Sequence, residues 1–547
     1  MTDSLANVVR NGGMVVVDWM RSRGLNAFFH VPGESFLPVL DALRDATSVQ
    51  VITARHEAGA AFAAEAFGKL TGRPAVCMAT RGPGASNLSI GVQTAHYDGT
   101  PMLVMLGLVP RHLQGAGAFQ EIDPGSMFAS IAKDVHVVNA AEALVPVLDQ
   151  ALATAVTGRP GPVVVGFPAD VLQEAVSATL IPGKVMASAT TAFDPKAVMA
   201  LLHAARRPAL LVATEAVRGP AASALEDLAA RTGALVYCAW RRFSSFDNCH
   251  EQFAGSVGIG ASADVTRGLS QADLVLSFGF AIEQITCDAA GLRAATGHFV
   301  QFAPESDARI ARYLPAGHAE QVIVDPADAA RALAAAADRT QFTRSAQTRS
   351  HGSRQAAADA YKVSAAVGAV RMEHVMSLLD VAIPDDAIIV SDAGNFAQWL
   401  LRHIEFDQHR VFLGALNGAM GYGLPGGIGA GIAMPERPCW VLAGDGGFAM
   451  LEAEMETATR LGLSIVACVF DNGLYGTIRA QQERAFPGRA FGTSTGHVDF
   501  AAAARAHGWL GWSVDKDADI ERVVDDVLAS TGCRLIHFVV EQFPLAA

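Results

Sequence analysis

Short runs of β-branched and other apolar residues alternate with alanine-rich stretches along the whole chain. The runs fall at residues 76–79, 102–106, 163–166, 209–213, 274–278, 387–391, 440–442 and 465–470. Runs this short and this continuously apolar suit strands buried on both faces, and the alanine-rich stretches between them supply crossover helices. The pattern predicts an α/β fold of doubly wound parallel sheets with helices on both faces.

Two stretches break the alternation, 181–192 and the polar segment near 340–366. Linkers at these points divide the 547 residues into three units, 1–180, 190–340 and 365–547, each within the usual domain size. The first and third units follow one plan. Arg73-Pro74 opens a strand, a glycine-rich turn at Arg81-Gly82-Pro83-Gly84 and a helix, and the next strand begins near Pro101. Arg437-Pro438 does the same through Gly444-Asp445-Gly446-Gly447, with the next strand near Ser464.

Hydrophobic residues make up 51 % and charged residues 17 % of the chain, which excludes a disordered protein. A net charge of −13 without a basic cluster leaves no footprint for a phosphate backbone, so nucleic acid is not an expected partner. Seven scattered cysteines with no C-x-x-C pair read as reduced thiols rather than a disulfide framework or a zinc site. The N-terminus lacks the order of a signal peptide, and the expectation is a cytoplasmic protein. The uncharged run 411–435 carries seven glycines between Gly414 and Gly429, plus Pro425. It reads as a glycine-rich turn and a buried helix, and no membrane span is expected.

The strongest local signal is Trp440-Val-Leu-Ala-Gly444-Asp445-Gly446-Gly447, followed by a helix over 448–461, a strand over 463–470 and Asp471-Asn472-Gly473. A carboxylate at a strand's carboxyl end, with glycines opening the next helix, places oxygen ligands beside backbone N–H groups. Such a site suits Mg²⁺ and a phosphate. Asn472 ends the neighbouring strand, where its amide oxygen can reach the same ion. Locally, a capping Asp and an Asn-Gly turn account for the same residues equally well.

Gly-Asp-Gly followed after some 25 residues by Asn resembles the cofactor motif of thiamine diphosphate enzymes. The likeness continues through Val31-Pro32-Gly33-Glu34, Arg55-His56-Glu57 with Ala63-Ala64-Glu65, Thr80-Arg81-Gly82-Pro83-Gly84-Ala85-Ser86-Asn87, Ala118-Phe119-Gln120-Glu121 and Gly418-Ala419-Met420-Gly421-Tyr422-Gly423-Leu424-Pro425. It is nearest to the acetolactate synthase branch. The resemblance implies three doubly wound domains: pyrimidine-binding (1–180), central (190–340) and diphosphate-binding (365–547). It also implies that Glu57 is the acid held against the pyrimidine nitrogen, which activates the cofactor by sharing a proton with that ring; without the likeness, Glu57 is a carboxylate at a helix start. By the same matching Met420 supports the bend of the cofactor. Gly394, Asn395, Phe396, Gly418, Gly446, Gly447, Tyr475 and Gly476 contact it, and Asp445, Asn472 and the Leu474 carbonyl hold Mg²⁺.

Phe119 and Gln120 occupy the stretch that borders the reacting carbon in carboligases, and the chain contains no His-His pair of the kind common in aldehyde-releasing decarboxylases. The expectation is therefore a carboligase or lyase acting on 2-oxo acids or 2-hydroxy ketones. The alternatives are a 2-oxo acid decarboxylase using Gln120 and Glu34, and a 2-hydroxyacyl-CoA lyase. Glu34 is an extra acid or base or a surface helix cap; His56, His96 and His112 are reserve proton carriers. A nicotinamide dehydrogenase is disfavoured, since no G-x-G-x-x-G follows a strand with an acid about 20 residues on. Departures from the synthases are Gln481 in place of a tryptophan, Ala169 in place of a lysine, and a central unit without a Met-His-Gly segment. Gln301-Phe-Ala-Pro304 also replaces an acidic strand end, so FAD is not expected. The family places its cofactor between chains, which makes a homodimer or a dimer of dimers the expected assembly.

Overall fold

The computed structural model describes residues 10–176, 193–213, 220–280, 283–292, 297–314, 317–338, 369–407 and 409–540. The two linkers expected near 181–192 and 340–366 lie outside these residues. Among these residues, three six-stranded sheets form, each parallel throughout. The first uses Ala27–His30, Gln50–Thr53, Ala75–Thr80, Met102–Leu108, Asp134–Val137 and Pro162–Pro168. The second uses Pro208–Val212, Leu235–Cys238, Phe253–Ser256, Leu274–Phe278, His298–Ala303 and Ala319–Ile323. The third uses Ile388–Ser391, Val411–Gly414, Cys439–Gly444, Ile465–Asp471, Leu510–Val514 and Arg534–Val539. Central strands such as Met102–Leu108 and Ile465–Asp471 are buried along their whole length, which explains why they are continuous apolar runs rather than alternating ones.

With strands counted in chain order within each sheet, the first and third sheets share the spatial order 2-1-3-4-6-5. This is the common plan that the two Arg-Pro openings suggested. The middle sheet has the order 3-2-1-4-5-6, the doubly wound arrangement of dinucleotide-binding folds. In an open parallel sheet the loops at the carboxyl ends flank a crevice where the strand order reverses, here between strands 1 and 3 of the outer sheets. The chain packs as two compact units. One holds the first sheet with residues 424–435 and 451–463; the other holds the middle and third sheets.

The structure departs from the sequence reading in two elements. The helix expected over 448–461 is two helices, Asp445–Met450 and Glu454–Arg460. The second directs Glu454, 1 % exposed, onto the amides of Arg55 and His56 (3.1 and 3.0 Å). The Arg81–Gly84 turn is instead the first turn of the helix Arg81–Asp98, where the Gly82 N–H donates to the Gln120 carbonyl (2.8 Å). The run 411–435 is a strand, a turn and the helix Gly423–Ala433. Among the described residues no helix is long and apolar enough to cross a membrane.

Arg410 anchors the third sheet. Its buried guanidinium donates to Asp380 Oδ1 (2.6 Å) and to the carbonyls of Asp380, Ile383 and Glu405. Arg410→Ala would remove the guanidinium from the buried Asp380 carboxylate, whose Oδ1 also accepts the Glu405 N–H (3.0 Å), and it is expected to lower stability by about 3–5 kcal/mol in urea unfolding. Arg410→Met with Asp380→Asn should recover most of that loss.

Candidate functional site

Each candidate residue of the first sheet follows the carboxyl end of a strand. Glu34 opens a 3₁₀ turn after the first strand and is exposed. Glu57 is the first residue of the helix Glu57–Thr71, after the second strand. The His56 ring caps this helix, its Nδ1 accepting the Ala58 N–H (3.1 Å). Glu57 is half-buried, and its Oε2 accepts a hydrogen bond from Asn87 Nδ2 (2.9 Å). A Cβ at Gly84 would lie 3.3 Å from Oε1, so the glycine leaves the carboxyl approachable. Phe119 and Gln120 follow the fourth strand. Phe119 is 78 % exposed, and Gln120 takes a φ of 63°. The Glu121 carboxylate fixes this loop by accepting the N–H groups of Gly115 and Ala118.

The candidate residues of the third sheet sit at the corresponding positions. Gly394, Asn395 and Phe396 follow its first strand, Gly418 and Met420 its second, Asp445, Gly446 and Gly447 its third, and Asn472, Leu474, Tyr475 and Gly476 its fourth. All of them line one cleft of about 630 Å³, together with Gln481. A Cβ at Gly446 would lie 2.7 Å from the Tyr475 ring, and one at Gly447 would lie 2.9 Å from Asp392 Oδ1. A side chain at Gly446 would crowd the cleft wall and one at Gly447 would collide with the buried Asp392 carboxylate, so both positions need glycine beside the backbone N–H groups of a helix start, surroundings that suit a diphosphate.

Asp445 is 7 % exposed. Burial, and then the neighbouring Asp471, push its carboxyl up to about 6; Thr495 Oγ1 donates to it (3.2 Å). For Asp471, burial works the other way, yet hydrogen bonds from His537 and His497 (3.0 Å each) hold its carboxyl below the usual range. Asp445 faces the cleft, whereas the Asp471 carboxylate is engaged by the two histidines and by the Gly473 N–H (2.9 Å). Asn472 Oδ1 accepts the Leu474 N–H (3.1 Å), and the Leu474 carbonyl accepts the Gly476 N–H (2.9 Å), each oxygen keeping a lone pair. Among the described residues no three His, Cys, Asp or Glu side chains gather as a metal cluster. The donor set at the cleft is one carboxylate, one amide oxygen and one carbonyl, the hard-oxygen chemistry of Mg²⁺ when phosphates and water complete the shell. The residues present fit a diphosphate with its ion.

The sequence motifs missed Arg241, which lines this cleft, Asp392, which is buried beneath it, and Glu454, which holds the start of the Glu57 helix. Arg241 and Asp392 follow apolar strands and Glu454 falls within the expected helix over 448–461, and the backbone groups that each meets are far away in the chain.

Three family models match: "Thiamine pyrophosphate enzyme, N-terminal TPP binding domain" over residues 10–127, "central domain" over 196–342 and "C-terminal TPP binding domain" over 392–538. An acetolactate synthase large subunit of Parasynechococcus marenigrum is 30 % identical over 527 residues, covering 92 % of this chain and 84 % of that protein. An acetolactate synthase of Mycobacterium bovis is 29 % identical over 553 residues (97 % and 88 %). The acetolactate synthase isozyme 1 large subunit of Escherichia coli is 28 % identical over 546 residues (96 % and 93 %). A solved structure, the thiamine diphosphate-dependent 4-hydroxybenzoylformate decarboxylase of Rhodococcus jostii RHA1, superposes with a TM-score of 0.83 at 21 % identity, covering 98 % of this chain and all of that one. It shares the fold.

Proposed function

We propose, from the premise that this chain belongs to the thiamine pyrophosphate enzyme family and makes or breaks carbon–carbon bonds with thiamine diphosphate, that it is a Mg²⁺-dependent carboligase or lyase of the acetolactate synthase type acting on a 2-oxo acid or 2-hydroxy ketone. The observation that carries this reading is the single cleft in which Asp445, Asn472 and the Leu474 carbonyl stand beside Gly446 and Gly447. When bound, thiamine diphosphate supplies a carbon nucleophile and an electron sink for the substrate carbonyl.

The chain's own residues do the rest. Asp445, Asn472 and the Leu474 carbonyl would hold Mg²⁺, and the amides of Gly446 and Gly447, with Gly394, Asn395, Phe396, Gly418, Tyr475 and Gly476, would seat the cofactor. Met420 would pack against the cofactor from the wall of the cleft. Glu57, oriented by Asn87, holds and returns the proton that activates the cofactor. Phe119 and Gln120 border the reacting carbon, and Glu34 serves as a further acid or base beside it. Gln481 makes the acceptor side of the cleft polar, which favours an acceptor other than that of the acetolactate synthases. Gln301 is fully buried and donates to the Gly279 carbonyl (3.1 Å); it offers no carboxylate to an adenosine ribose, which supports a reading without FAD. The active species is a homodimer or dimer of dimers that covers exposed side chains such as Phe119. It works in the cytoplasm, in keeping with seven free thiols.

The test is product analysis by mass spectrometry after incubation with thiamine diphosphate, Mg²⁺ and pyruvate or other 2-oxo acids, with and without an aldehyde. The expected result is a carbon–carbon ligation product that EDTA abolishes, from a protein without flavin absorbance. Free aldehyde as the only product would replace the carboligase with a decarboxylase. Turnover confined to 2-hydroxyacyl-CoA would make the protein a thioester lyase.

A further inference from the structure

Arg241, buried on the wall of the cleft, joins its loops to the middle sheet, and Asp392, buried beneath the cleft, joins two of those loops to each other. Arg241 follows the strand Leu235–Cys238 and takes a φ of 53°, a left-handed conformation that a side chain ordinarily disfavours. It is 3 % exposed. Its Nη1 donates to the Ala415 carbonyl (2.9 Å), and its Nη2 donates to the carbonyls of Ser391 (3.0 Å) and Asp392 (2.8 Å). A Cβ at Gly414 would lie 2.9 Å from the guanidinium, so the third sheet leaves room for it.

Asp392, whose carbonyl Arg241 grips, is 1 % exposed. Its Oδ1 accepts the N–H groups of Ala393 (2.6 Å) and Gly421 (3.1 Å), and its Oδ2 those of Gly421 and Gly423 (3.1 Å each). Gly421 adjoins Met420, and Ala393 adjoins Gly394. Burial pushes the Asp392 carboxyl up to about 6, opposed by these amides and by Arg241. A strained backbone at Arg241 and a buried carboxylate at Asp392 persist only where the surroundings over-determine them.

We propose that Arg241 and Asp392 are positioning residues: Arg241 fixes the peptides of Ser391 and Asp392, and the Asp392 carboxylate in turn fixes the loop that carries Met420 on the wall of the cleft. The proposal rests on the reading of the cleft as the thiamine diphosphate site. The residue types follow from the geometry. A planar fork meets three carbonyls at once, where a lysine ammonium is a point donor. A carboxylate offers two acceptor oxygens, where asparagine would turn an NH₂ toward an amide N–H.

The experiment uses the full chain with three substitutions: Arg241→Gly, which suits the left-handed backbone and removes only the side chain, Arg241→Lys and Asp392→Asn. Hydrogen exchange is followed in the apo protein. Arg241→Gly is expected to speed exchange at Gly421 and Gly423, amides that Arg241 does not touch, by about tenfold or more, the scale of one lost charge-assisted hydrogen bond. The strand Cys439–Gly444 should exchange as in the wild type. Calorimetric titration with thiamine diphosphate and Mg²⁺ should show weakening of about tenfold for Arg241→Gly and Asp392→Asn, and less for Arg241→Lys. Unchanged exchange at Gly421 and Gly423 in Arg241→Gly overturns the proposal. Equal acceleration throughout the sheet also overturns it, since that marks a purely structural prop. If the wild type itself binds no thiamine diphosphate, the reading of the cleft fails separately, and the apo exchange pattern still judges the clamp.

Discussion

Glu57→Gln lowers turnover at saturating thiamine diphosphate by about 10²–10⁴-fold, the range that a positioned proton donor contributes, while cofactor affinity stays close to that of the wild type. The substitution keeps the length of the side chain and an oxygen that can accept from Asn87, so the hydrogen bond of 2.9 Å and the capped helix start at His56 survive. What disappears is the ability to share a proton. Affinity persists because the proposed diphosphate and Mg²⁺ anchors are Asp445, Asn472, Leu474 and the Gly446–Gly447 cradle, none of which the change touches. Steady-state kinetics paired with calorimetric titration separates the two effects. Turnover near that of the wild type would remove Glu57 from this role. Asn87→Ala should cost less, since it releases the carboxyl without deleting it.

Asp445→Ala is expected to weaken Mg²⁺-dependent binding of thiamine diphosphate by about 100-fold or more, because even groups that merely orient metal ligands are worth 10–100-fold. Removing the carboxylate leaves an amide oxygen and a carbonyl, too few anionic donors to offset the charge of the ion and seat a diphosphate. In the apo protein Asp445 faces the like charge of Asp471 in a buried setting, so the variant should keep its apo thermal stability. Lost binding in a fully folded protein is thus the expected pair of readings. Unchanged affinity by calorimetry would move the ion elsewhere. The same two variants test the assembly. Glu57→Gln chains mixed with Asp445→Ala chains regain activity if one site draws Glu57 and Asp445 from different subunits. They stay inactive, despite exchange confirmed by mass, if each site lies within one chain.

Much of the architecture is local information. The apolar runs at 274–278 and 465–470 are strands in the structure at nearly those limits, because burial on both faces of a parallel sheet demands a continuous apolar segment and nothing distant. Glycine-rich strand ends such as Gly444–Gly447 are legible for the same reason: the chemistry that a helix start offers an anion is contained in four consecutive residues. The candidate residues of the third sheet needed no tertiary information to be named. They share one cleft because every loop in question leaves the carboxyl edge of one parallel sheet.

The tertiary structure decided what depends on partners remote in the chain. The shared strand order 2-1-3-4-6-5 and the break after Met450 arise from pairing and packing between separated segments, which local periodicity does not encode. Arg241 meets Ser391 across 150 residues, Asp392 meets Gly421 across 29, and Glu454 meets Arg55 across 399. In each case a charged side chain is buried because backbone N–H or C=O groups satisfy it. Backbone groups are the same at every position, so they leave no mark in the sequence, and only the fold selects which of them a buried charge will find.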